Sequence, residues 1–91
     1  MPKYVIERTV PGAGTMTADQ LRGLSAHSNE VIRDLGPDVQ WVHSYVAGDK
    51  IYCIYNARDA AIVREHARCG GFPIDLVTTV AAIIDPTTGE G

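Results

Sequence analysis

Cysteine is scarce in this chain: Cys53 and Cys69 are the only two in 91 residues. That excludes a disulfide-built scaffold, and reduced, buried thiols are the expectation. Basic charge is also short. Eight Lys and Arg stand against eleven Asp and Glu, a formal net charge of −3, and no basic patch forms, which excludes the electrostatic footprint of a nucleic-acid binder. No apolar run approaches the roughly 20 residues that a bilayer crossing needs. Met1-Pro2-Lys3 leads directly into a strand-like run without the apolar region or small-residue cleavage site of a secretory signal, so a cytoplasmic location is expected. Internal repeats, linkers and low-complexity runs are absent from the sequence. No His or Cys pair has the tight spacing of a structural zinc site. Gly12 and Gly14 make a turn, but no helix opens directly after them with a Lys in place, which excludes a phosphate-binding loop.

What is present centres on residues 40–56. Gln40 to Val46 and Ile51 to Asn56 are rich in β-branched and aromatic residues, and Gly48-Asp49 between them suits a two-residue primed turn. Such a turn sets Val46 opposite Ile51, Tyr45 opposite Tyr52, Ser44 opposite Cys53 and His43 opposite Ile54. Strict alternation then sorts the hairpin into one face with Val42, Ser44, Val46, Ile51, Cys53 and Tyr55, and another with Trp41, His43, Tyr45, Tyr52, Ile54 and Asn56. Neither face is made for water. A chain this short covers one side of a sheet with its own helices, so the second side calls for a second subunit, and a homodimer through the sheet is expected.

The rest of the chain supplies the other elements. Lys3 to Val10 alternates as a strand, with Tyr4, Ile6 and Arg8 on one side and Val5, Glu7 and Thr9 on the other. Thr17 and Gln20 form a capping box for a helix from Ala18 to about Leu35, whose stripe is Leu21, Leu24, Ser28, Val31, Ile32 and Leu35, and Gly36-Pro37 ends it. Asp59 caps a second helix from Ala60 to Cys69, closed by Gly70-Gly71. Ile62, Val63, His66 and Cys69 share its inner face. Thr78 to Asp85 reads as the last strand, and residues 86–91 as a mobile tail behind a single domain of residues 1–85. Strand, helix, strand, strand, helix, strand is the ferredoxin-like βαββαβ order, an α+β sandwich with an antiparallel sheet and two helices on one face. Two such sheets meeting face to face predict a dimeric α/β barrel.

Side-chain chemistry offers two kinds of site. His27 and Glu30, one turn apart beside the helical stripe, present an imidazole and a carboxylate to one exposed cation, and His66 is the candidate for an internal metal position. A pocket between sheet and helices is the alternative. There Glu7 or His66 would act as acid or base, Tyr45 or Tyr52 would donate hydrogen bonds, and Ser44 and Cys53 would line the wall. No catalytic motif selects a reaction. A plain assembly module, with the sheet serving only to dimerise, is a third reading.

The runs Tyr4-Val5-Ile6-Glu7-Arg8, Pro11-Gly12-Ala13-Gly14, Ser28-Asn29, Gln40-Trp41-Val42-His43-Ser44-Tyr45, Lys50-Ile51-Tyr52-Cys53, Arg64-Glu65-His66-Ala67 and Gly70-Gly71-Phe72-Pro73 resemble a family of small actinobacterial nickel-binding, ferredoxin-like proteins otherwise of unknown function. The resemblance spans nearly the whole chain. It implies a dimer and binding of nickel or another divalent transition metal, with sequestration as the role. It supplies no ligands residue by residue, so the metal positions above rest on side-chain chemistry alone.

Overall fold

The computed structural model describes residues 1–90. Its strands are β1 (Lys3–Thr9), β2 (Val39–Ala47), β3 (Lys50–Ala57) and β4 (Leu76–Thr79), and its helices are α1 (Ala18–Leu35) and α2 (Ala60–Gly70). Short 3-10 turns occupy Ala13–Thr15 and Pro86–Glu90. The sheet runs in the order β2-β3-β1-β4 with every pair antiparallel, which is the ferredoxin-like topology.

Local chemistry explains why the elements start and stop where they do. Thr17 and Gln20 exchange side-chain bonds with each other's backbone N–H, closing the capping box of α1. The Asp59 carboxylate accepts from the Ile62 N–H at 3.0 Å and starts α2. Ala47 pairs with Lys50, so the hairpin turn is the two residues Gly48-Asp49, and Gly48 has the positive φ of 60° that a primed turn requires.

The core lies between the sheet and the helices. Tyr4, Ile6, Val39, Ile51, Cys53, Tyr55 and Ala57 come from the sheet and Ile62 and Val63 from α2, with Leu24, Ile32 and Leu35 of α1 packed against them. The opposite sheet face carries Val5, Glu7, Tyr45, Tyr52 and Ile54, and Tyr45 is exposed.

Four expectations need correction. The sheet is open, not closed into a barrel: β2 and β4 are its unpaired edges, and four strands with a four-residue edge cannot complete the circuit that a barrel needs. The last strand is Leu76–Thr79 and not Thr78–Asp85. Its partner runs out, because Thr79 already faces Tyr4 and the Val80 N–H bonds Lys3 O at 2.8 Å, so residues 81–85 have no ladder to join and lie exposed. Trp41 is on the helix side of the sheet. A β-bulge leaves Val42 without a partner between the pairs Trp41↔Tyr55 and His43↔Ile54, so the alternation slips by one and Val42 moves to the open face. Cys69, finally, is exposed and not buried. Of the expected tail, Gly91 lies outside the described residues.

Candidate functional site

The inner side of β1 ends on a charge. Tyr4 and Ile6 are buried as their parity requires, and Arg8, two residues on, is buried with them at 4% exposure. Its Nε donates to the Cys53 sulfur at 3.4 Å, Nη1 to the Pro73 carbonyl at 2.6 Å and Nη2 to the Tyr55 hydroxyl at 3.4 Å. The Phe72 ring lies 5.5 Å from the guanidinium carbon, within cation–π range. Burial pushes the Tyr55 hydroxyl up to about 12, so it is a neutral phenol at physiological pH.

His66 projects from the inner face of α2 onto the same cluster and is 0% exposed. Its Nε2 lies 3.1 Å from the Ser28 hydroxyl of α1, and its Nδ1 has no partner. The Tyr55 and Phe72 rings flank it, each with its centroid 5.2 Å away. Burial first and the Arg8 charge second lower its pKa to about 4, so the imidazole is neutral at pH 7. Phe72 owes its position to Gly70: a Cβ there would sit 2.1 Å from the ring's Cε2.

Between α1, the 70–73 loop and this side of the sheet lies a cavity of about 340 Å³. Val10, Met16, Leu21, Leu24, Val46 and Ile51 make its walls apolar, Trp41 closes one side, and Arg8, Ser28, Ser44, Cys53 and Tyr55 supply its polar atoms. The Trp41 indole N–H donates to the Ser44 hydroxyl at 2.9 Å.

The residues singled out in the sequence therefore divide between two sides of the sheet. Ser44, Cys53 and His66 belong to the helix side. Glu7, Tyr45 and Tyr52 stand on the open side, with Glu7 3.8 Å from Lys50 Nζ, and do not meet the cavity. His27 is exposed at the cavity rim, where its Nε2 donates to the Gly70 carbonyl at 2.9 Å. Glu30 is exposed one turn along α1. Cys69 faces solvent and donates to Glu65, whose carboxyl the Arg68 guanidinium holds down at about 2. No three of the His, Cys, Asp and Glu side chains among the described residues converge into a metal-holding group. Arg8, Tyr55 and Phe72 were not singled out. Arg8 was nonetheless visible as a charge sharing the parity of Tyr4 and Ile6, whereas nothing local marks Phe72.

Comparison with known proteins adds the lineage. The family model described as "Nickel responsive protein SCO4226-like" matches residues 4–80. The chain belongs to that family. The crystal structure of SCO4226 from Streptomyces coelicolor A3(2) superimposes with a TM-score of 0.73 at 20% sequence identity, over 90% of this chain and 99% of that one, a likeness that establishes the fold. No curated protein matches the chain. No described helix is long and apolar enough to cross a membrane.

Proposed function

We propose that this protein binds a divalent transition-metal ion, nickel first, at its surface in the cytoplasm and sequesters it without chemistry. The observation that carries this reading is the family match over residues 4–80, whose description is nickel responsive. The donor set fits a modest surface site. A carbonyl oxygen only accepts, so the bond from His27 to Gly70 O fixes the proton on Nε2 and leaves the Nδ1 lone pair for a Lewis acid. Ligating histidines are commonly oriented by such a bond from their other nitrogen to a backbone carbonyl. Imidazole with carboxylate and water suits nickel, though not nickel alone. Glu30 is the second protein ligand in this reading, and water completes the shell. His66 has no part in it, because it is sealed from solvent. The exposed Tyr45, Val42 and Leu76 on the open sheet face are where we propose that a second copy packs, away from His27.

Calorimetric titration of tag-free protein with Ni, Zn, Cu and Co, with mass by light scattering, tests the reading. Binding of nickel by a dimer is expected, weakened at least about tenfold by His27→Ala, the order that even an outer-shell loss costs a metal site. Failure to bind any of the four ions, or unchanged binding by His27→Ala, would overturn it.

A further inference from the structure

Arg8 has a problem that the metal reading does not touch. Moving a guanidinium out of water costs several kcal/mol unless a counter-charge repays it, and Arg8 is 4% exposed. Its protein partners are a thiol, a phenol and a carbonyl. The ion pairs of the described residues join Arg22, Lys50, Arg58 and Arg68 to carboxylates, and none includes Arg8. A guanidinium has five N–H donors. Three are used here, which leaves two, one on each terminal nitrogen, and guanidinium N–H groups are strong donors to a carboxylate. The same side chain lines the cavity of about 340 Å³, a volume at the lower end of the roughly 300–1,000 Å³ usual for small-molecule sites.

We infer that this cavity binds a small organic monocarboxylate with an apolar body, its carboxylate paired with Arg8 and its body against Leu21, Leu24, Val46 and Trp41. The walls decide the class. A polyanion such as a nucleotide phosphate would bring charges that one cation cannot match, because Arg8 is the only Lys or Arg among the lining residues. An inorganic anion would satisfy Arg8 and leave the apolar walls unfilled. A neutral apolar guest would do the reverse and leave the buried charge unanswered. Only a single carboxylate on an aliphatic or aromatic body satisfies both parts.

Trp41 is the chain's single tryptophan and a wall of the cavity, so its fluorescence reports on occupancy. The test titrates the native chain at pH 7.5 with octanoate and separately with 1-octanol, which offers the same body without the charge, following Trp41 emission and heat. Octanoate is expected to bind saturably and at least tenfold more tightly than octanol, since only the carboxylate makes charge-assisted hydrogen bonds to Arg8. In Arg8→Met the two probes should bind alike, while nickel titration is unchanged, which separates this inference from the metal reading. Leu24→Phe, which narrows the cavity without touching Arg8, should weaken octanoate at least tenfold. Absence of saturable octanoate binding to the native chain, or equal affinities for octanoate and octanol, would overturn the inference whether or not Arg8→Met folds.

Discussion

The pH dependence of stability isolates His66. The groups around it are Arg8 of β1, His27 and Ser28 of α1, Tyr55 of β3 and Phe72 beyond α2, with no carboxylate among them. Burial and the Arg8 charge lower its pKa from 6.5 to about 4. Below about pH 6.5 the unfolded chain takes up a proton that the folded chain refuses, so stability falls with acidification and the loss is complete near pH 4. At 1.36 kcal/mol per pH unit the full loss is about 3 kcal/mol, of which about 2 kcal/mol is reached by pH 5. The carboxylates held low, Glu65 by Arg68 and Asp59 by the Ile62 N–H, act lower on the scale, beginning near their ordinary pKa, so the interval from 6.5 to 5 belongs largely to the imidazole. Urea denaturation of the native chain and of His66→Phe at pH 7.5, 6.5, 5.5 and 5.0 measures it. The native chain should lose stability across this range and the variant should not. A flat native profile, or an equal slope in the variant, would refute the account of a neutral buried imidazole.

Two more outcomes test the packing. Gly70→Ala places a methyl group against the Phe72 ring, and the ring cannot retreat without leaving His66 and Arg8, so a loss of about 1–3 kcal/mol is expected in thermal or urea unfolding. Deletion of Val42 removes the bulge residue and joins the pairs Trp41↔Tyr55 and His43↔Ile54 directly. Trp41 should keep its buried emission in that variant, because the flanking pairs then follow regular alternation, and a shift to solvent-exposed emission would show that Val42 is not the extra residue of this register.

Periodicity made much of the fold legible. The capping box at Thr17, the cap at Asp59 and the Gly48-Asp49 turn are local signals, and each lies where its chemistry put it. The inner face of α2, with Ile62, Val63 and His66, is equally a matter of spacing. What spacing cannot supply is pairing length. Residues 80–84 read as strand because Val, Ala and Ile fill them, yet strand structure needs a ladder, and β1 has no further residues to offer beyond Lys3. The barrel failed for a related reason: the faces of a sheet can be sorted from sequence, but closure depends on strand number and on edges that no alternation encodes.

The candidate cavity was hidden by a single unpaired residue. Without the bulge at Val42, strict alternation would turn Trp41 away from the helices and set Val42 beside Ser44 and Cys53, and the cavity would lose its indole wall. With it, Trp41 and Ser44 stand on one side of the sheet, joined by a 2.9 Å hydrogen bond, and line the same cavity as the Arg8 that β1 carries inward by parity alone. A bulge costs one ladder pairing and is retained where it re-aims a side chain. Here the re-aimed side chain is a large apolar wall of the cavity that Arg8 also lines, which is why an irregularity in β2 and a buried charge in β1, unremarkable when taken singly, converge on one binding cavity.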